Sequence, residues 1–213
     1  MTKAERLEAE IQRTEEMKKF EDEYKIYGNI CGIDEAGRGP LCGPVVAGAV
    51  ILPKEYDILY LNDSKKLSEK KREELYDEIA EKALAWSVGI VSPERIDEIN
   101  ILQATYMAMG QAIAQLSAKP DLALIDGNRA ADFGVPTETV VHGDSLSASI
   151  AAASILAKVT RDDLMLEMAE RYPQYAFEIH KGYGTKAHCE AILANGPCEI
   201  HRRTFLKKLY GEK

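Results

Sequence analysis

The chain has 213 residues, 46% of them hydrophobic, and a formal net charge of -8. That length and apolar share suit one domain with an ordinary core, and the acidity excludes a protein that is basic throughout. No run approaches the ~20 apolar residues that cross a bilayer and no apolar signal segment opens the chain, so no membrane association and a cytoplasmic location are expected.

Lys3 to Lys25 reads as a highly charged helix with sparse apolar anchors at Leu7, Ile11, Met17 and Phe20. It forms a peripheral segment, 1–25, ahead of a main domain expected over 26–213. Asn29 to Asp34 is an apolar run, Gly37-Arg38-Gly39-Pro40 a turn, and Val45 to Leu52 a second apolar run. So short a link predicts antiparallel neighbours, because a parallel crossover needs a dozen residues or more. Ser68 caps a helix expected to run to about Lys82, and Ala83 to Val91 reads as a third strand. Ser92 and Pro93 open a long helix to about Leu116, Ser as cap and Pro at its first position. Asp121 to Asp126 and Glu138 to Val141 read as two more strands. A helix rich in alanine and serine is expected from near Ser145 to Met168, its small side chains letting the backbone lie close to the sheet. Helices near Thr185 to Ala194 and Arg203 to Tyr210 complete the chain. This order predicts an α/β fold with a mixed sheet covered on both faces.

Four carboxylates stand at the ends of these elements: Asp34, Glu35, Asp126 and Asp144. Gathered together they would repel one another unless a cation neutralised them, and hard divalent ions take oxygen ligands. Adjacent strand residues point to opposite faces, so Asp34 and Glu35 share a cation only if the strand ends there, as Gly37 and Gly39 suggest. Turn or cap aspartates are the bland alternative for each acid taken singly.

Positive charge is local. Lys65 and Lys66 lie in Asp63-Ser64-Lys65-Lys66-Leu67-Ser68, and Lys181, Lys186, Arg202, Arg203, Lys207 and Lys208 make the C-terminal segment basic. Tyr183 between Gly182 and Gly184 can present its ring to a sugar or base, with Lys181 beside the backbone. His201, Arg202 and Arg203 are expected to continue that basic surface. Gly37-Arg38-Gly39 is too short for a phosphate loop but can expose its backbone to a ligand. Cys31 and Cys42 are expected as buried thiols, with no disulfide framework among the four cysteines. His188, Cys189, Cys198 and His201 lack an ordinary zinc spacing, and Cys189 and Cys198 read as packing residues.

The stretches Gly32-Ile33-Asp34-Glu35-Ala36-Gly37-Arg38-Gly39-Pro40-Leu41, Asp63-Ser64-Lys65-Lys66-Leu67 and Ile125-Asp126-Gly127 closely resemble bacterial ribonuclease HII. So do Gly143-Asp144 leading into 151–162, His180-Lys181-Gly182-Tyr183-Gly184-Thr185, and His201-Arg202. The resemblance implies a ribonuclease H-like fold with a five-stranded mixed sheet and a helical C-terminal segment. It also implies an endonuclease that cuts the RNA strand of RNA–DNA hybrids and incises duplex DNA 5' of embedded ribonucleotides, leaving 3'-hydroxyl and 5'-phosphate ends. On that resemblance Asp34, Glu35, Asp126 and Asp144 hold Mg²⁺ or Mn²⁺, as two ions. Gly37, Arg38, Gly39 and Tyr183 read the RNA–DNA junction, and Lys65, Lys181, His201, Arg202 and Thr204 bind substrate. Cys42, Thr204 and Glu199 replace the family's common alanine, serine and proline. A monomer is expected, with a replication-associated partner left open. A general metal nuclease and a noncatalytic hybrid-binding module are the competing readings.

Overall fold

The computed structural model describes residues 2–211. Strands β1 (Ile30–Ala36), β2 (Val45–Ile51), β3 (Ala85–Val91), β4 (Leu122–Asp126) and β5 (Thr137–Val140) form one sheet in the order β3-β2-β1-β4-β5. The first three strands pair antiparallel, as the short link after β1 requires, while β4 runs parallel to β1 and β5 parallel to β4. The chain turns back from β3 to β4 through α3 (Pro93–Gln115), which is long enough for the crossover. Every residue of β2 is buried, which explains its unbroken apolar run.

Helix α5 (Ala148–Arg171) covers one face of the sheet and α3 the other. The approach of α5 is backbone to backbone. A side chain at Gly32 would place its Cβ 2.0 Å from the Ser149 carbonyl carbon, and one at Gly48 would lie 2.4 Å from the Ala153 oxygen. Ala151, Ala152 and Ala153 are fully buried in that contact.

Two expected helices are interrupted. Asn100 stands at φ 67°, ψ 164° and breaks α3; its Oδ1 recaps the following turn by accepting from the N–H groups of Leu102 (3.0 Å) and Gln103 (3.1 Å). The helix expected from near Ser145 is two: a single turn, α4 (Gly143–Leu146), then α5, whose cap is Ser147 accepting from Ile150 N–H at 3.3 Å. Asp144 therefore lies within α4 and does not cap the long helix. The last expected helix shortens to α8 (Arg203–Leu206), with turns over 207–211; the carboxylate of Asp97 accepts from the backbone of Arg203 and Thr204 and caps its start. Helices α2 (Glu69–Lys82), capped by Ser68, and α7 (Lys186–Asn195), capped by Thr185, follow the sequence expectation, and a single turn, α6 (Phe177–His180), precedes α7.

Helix α1 (Lys3–Asp22) docks by its C-terminal end: Met17 is buried, and Glu21 accepts from Ser147 Oγ (2.6 Å) and Ser149 N–H (2.8 Å) at the start of α5. Behind the turn after β1, Cys42, Met165, Tyr175, Phe177, Ile192 and Leu206 form a separate small core that joins the C-terminal segment to the sheet domain. No helix among the described residues is long and apolar enough to cross a membrane.

Candidate active site

Strand parity and register bring two acids together. On β1 and β4, Gly32 and Asp34, and Leu122, Leu124 and Asp126, face α5, while Ile33 and Ile125 lie in the core on the α3 side. Because Ile33 pairs with Ile125 in parallel register, Asp34 and Asp126 are side-by-side neighbours at the same strand ends. Asp126 Oδ1 accepts the N–H of Gly143 at 2.7 Å, which pins the α4 turn and delivers Asp144. One carboxylate oxygen each from Asp34, Asp126 and Asp144 lies within 4.8 Å of the others.

This cluster carries unbalanced charge. Burial first, then the neighbouring charges of Glu35 and Asp126, holds the Asp34 carboxyl well above its ordinary value. Asp144 is raised by burial and by Asp126 and Asp63. Glu35 is raised by burial against the pull of Arg38, whose Nη1 donates to its Oε1 at 3.2 Å. Glu35 has the opposite strand parity and is not one of the three converging oxygens; it stands beside them at the strand end. The donor set fits a hard divalent ion. Mg²⁺–oxygen bonds of about 2.1 Å place opposite ligands of an octahedron ~4.2 Å apart, within the observed span. Lys65, with a side chain 76% exposed, stands at the rim. Burial pulls its pKa down, but the field of Asp63, Asp34, Asp144 and Asp126 outweighs this and raises it. Lys66 Nζ donates to Ser145 Oγ at 3.1 Å and ties this loop to α4.

The glycine turn follows β1 directly. Gly37 adopts φ 96° and is buried, whereas Arg38 and Gly39 are exposed. Tyr183, 42% exposed, lies beside Gly39: a Cβ there would be 3.9 Å from its Cε1. The acids, the turn and the tyrosine thus share one surface. Lys181 sits in the same loop with its Nζ donating to the Glu178 carbonyl at 2.7 Å. Thr204 is exposed, and its hydroxyl donates to Asp97.

Two residues expected on the basic surface are not on it. Arg202 is 0% exposed and His201 2%. The Arg202 guanidinium is turned inward onto backbone carbonyls, and it reads as a surface residue from sequence only because its partners lie more than 150 positions away. Arg161, also fully buried, donates to the carbonyls of Pro44 (3.2 Å), Cys42 (3.3 Å) and Lys181 (3.0 Å). Sequence reasoning gave Arg161 no part; the available signal was an arginine in the middle of an otherwise small and apolar helix face.

His201 belongs to a neutral chain. Its Nδ1 accepts the Cys198 N–H (3.0 Å), so its Nε2 carries the proton and donates to His188 Nε2 (3.1 Å). His188 Nδ1 then donates to the Tyr183 carbonyl (2.9 Å). Burial pushes the His188 pKa down; burial, and then the charge of His188, takes His201 down to about 4. Cys42 brings its sulfur to the same pair, giving three donors within 4.8 Å, a grouping the sequence spacing did not reveal. The imidazoles are satisfied by one another and by the backbone. Cys31 and Cys42 are fully buried thiols, each pushed by burial up to about 12.

Acids at the ends of the two central parallel strands, closed by a third from the helix that covers them, define a metal-dependent nuclease with a ribonuclease H-like fold. The family model described as ribonuclease HII matches residues 31–208. Ribonuclease HII of Endomicrobium trichonymphae is 62% identical over 177 residues, 83% of this chain and 84% of that one. That of Lachnoclostridium phytofermentans is 54% identical over 205 residues, 96% and 81% of the two chains. Among solved structures, ribonuclease H2 of Pyrococcus horikoshii superposes with a TM-score of 0.72 at 26% identity, covering 86% of this chain and 98% of that one. RNase HII of Archaeoglobus fulgidus, solved as a complex with PCNA, gives 0.66 at 27% identity over 83% and 94%. The chain belongs to the ribonuclease HII family. It is a metal-dependent ribonuclease H with the endonuclease activity on RNA–DNA hybrids typical of that family.

Proposed function

We propose that this chain incises a duplex on the 5' side of a ribonucleotide at an RNA–DNA junction, whether in a hybrid or embedded in DNA, leaving 3'-hydroxyl and 5'-phosphate ends. The observation that carries the reading is the common surface of the Asp34–Asp126–Asp144 cluster, the exposed Arg38–Gly39 turn and Tyr183. Two divalent cations, Mg²⁺ or Mn²⁺, bound by these acids with Glu35 alongside, supply the electrophilic pull on the phosphate and make water a stronger nucleophile. The chain itself orients the substrate. The turn approaches the 2'-hydroxyl that alone separates ribose from deoxyribose, Tyr183 stacks on the sugar that follows, and Lys65, Lys181 and Thr204 face the backbone. In this reading the protein works in the cytoplasm as a monomer, and a partner protein, as PCNA is for the Archaeoglobus relative, belongs to the same proposal.

Matched duplexes with no ribonucleotide, one ribonucleotide and an all-RNA strand test this. Mg²⁺-dependent incision at one position of the second, with the first untouched, is expected. Equal cutting of the all-DNA duplex contradicts the selectivity, and binding without product release contradicts catalysis. Tyr183→Ala is expected to raise KM on the one-ribonucleotide duplex about 10-fold or more, since a lost stacking contact is worth roughly 1–3 kcal/mol. An unchanged cleavage position and rate would remove Tyr183 from the reading.

A further inference from the structure

The turn that faces the ribose has no regular secondary structure to hold it, yet one side chain fixes the direction of its peptide groups. The Arg202 guanidinium makes six contacts to five carbonyls: Gly37 (2.6 Å), Arg38 (3.1 Å), Pro40 (2.9 Å), Gly43 (3.0 and 2.8 Å) and Pro44 (3.1 Å). Its own N–H also donates to the Leu41 carbonyl at 2.9 Å. No carboxylate forms a salt bridge with this buried cation among the described residues; carbonyl dipoles take the place of its solvent. Arg161 holds the far arm of the turn in the same way and joins it to the Tyr183 loop through the Lys181 carbonyl.

In a trans peptide the carbonyl of one residue and the N–H of the next point in opposite directions, and no described peptide is cis. With the carbonyls of Gly37 and Arg38 drawn inward to Arg202, the N–H groups of Arg38 and Gly39 point outward. Both residues are exposed, and among the described residues neither N–H has a hydrogen-bond partner. The inward positive charge also polarises these peptides so that their N–H ends are stronger donors.

We propose that Arg202 is a positioning residue for ribose selection: through its carbonyl cage it turns the Arg38 and Gly39 amides toward the substrate, and it touches no phosphate itself. The inference deepens the proposed function and rests on its assignment of the turn to the 2'-hydroxyl. It separates Arg202 from the exposed lysines, which act on the nucleic-acid backbone by charge.

The test compares wild type with Arg202→Lys, which keeps the charge and loses the fork. Because a misplacement of about 1 Å at a reacting centre costs ~10²-fold, kcat/KM on a one-ribonucleotide duplex is expected to fall about 100-fold. Affinity for an all-DNA duplex and Mn²⁺ affinity are expected to stay within about twofold of wild type, with the salt slope of binding unchanged. In Arg202→Met, which removes the charge, a salt slope reduced by about one unit would mean that Arg202 contacts a phosphate and would overturn the proposal. Should Arg202→Lys fail to fold, amide exchange on the native protein decides the matter by NMR. Arg38 and Gly39 amides should exchange quickly in the free protein and slow on adding the one-ribonucleotide duplex but not the all-DNA duplex; protection in the free protein overturns the cage geometry. If wild type itself does not distinguish the two duplexes, the proposed function fails first. If it does and Arg202→Lys distinguishes them equally well, only the role of Arg202 fails.

Discussion

The acid cluster and the arginine clasp are two ways of burying charge in one molecule. At the strand ends, Asp34, Asp126 and Asp144 bring like charges together with little compensation, and burial adds to the strain by raising Asp34 and Asp144. Behind the turn that follows β1, Arg161 and Arg202 are buried more completely, yet all their guanidinium nitrogens except Arg161 Nη1 donate to backbone carbonyls. The clasp is largely completed by the chain; the cluster is completed by something the chain must bind. Burial alone therefore does not mark a ligand site. Buried like charges that the chain's own hydrogen-bonding groups leave largely unpaired do.

The largest effect that separates the two regions is on catalysis. Asp34→Asn is expected to lower cleavage by more than about 10²-fold, since even residues that only support metal ligands are worth 10–100-fold. The same substitution should raise the melting temperature of metal-free protein by relieving repulsion, and should abolish the upward shift produced by Mn²⁺. A lower metal-free melting temperature would show that the cluster is not under electrostatic strain.

Next comes stability at the clasp. Arg202→Met removes the partner of five carbonyls and should cost about 3 kcal/mol or more in urea unfolding, whereas Arg203→Met, on the exposed neighbour, should stay within about 0.5 kcal/mol. Similar costs for both would mean that the cage contributes little.

The acid cluster and the His188–His201 pair should respond to pH with opposite signs. His201 has a folded pKa of about 4, below its unfolded value, so between about pH 4 and 6.5 the unfolded state binds the extra proton and stability rises with pH. His180 stacked on His188, with Arg203 and Cys198 nearby, makes up the surroundings of that pair. The cluster carboxylates have raised folded values, so they favour the folded state at low pH and lose that contribution as pH rises through their folded pKa. Metal-free unfolding curves from pH 4.5 to 8 should show both slopes. His201→Gln should flatten the first and Asp34→Asn the second, with the slopes unchanged if these groups do not titrate as described.

The smallest expected effect lies at α1. Glu21→Gln keeps an acceptor for Ser147 and Ser149 and removes a carboxylate whose pKa burial holds above its ordinary value, so it should shift stability at neutral pH by less than about 1 kcal/mol, toward the folded state, without changing kcat. A change in kcat would bring this helix into the catalytic machinery.

These contrasts also explain what the sequence revealed. Asp34 and Asp126 were legible because each ends an apolar run, and strand parity then places them on one face. Ser68 and Ser92 announced their helices by local chemistry. The breaks at Asn100 and Ser147 were hidden inside otherwise helical patterns, where one residue's own side chain recaps the chain. Arg202 and His201 read as surface because basic residues usually are; their burial depends on carbonyls and imidazoles brought in from distant segments. The pairing of His188 with His201 and Cys42 likewise exists only after folding.

Calorimetric titration of Mn²⁺ into wild type and Asp126→Asn tests the central claim most directly. Saturable binding by wild type, weakened at least ~10-fold by the substitution, is the predicted result. Identical isotherms for the two proteins would contradict it.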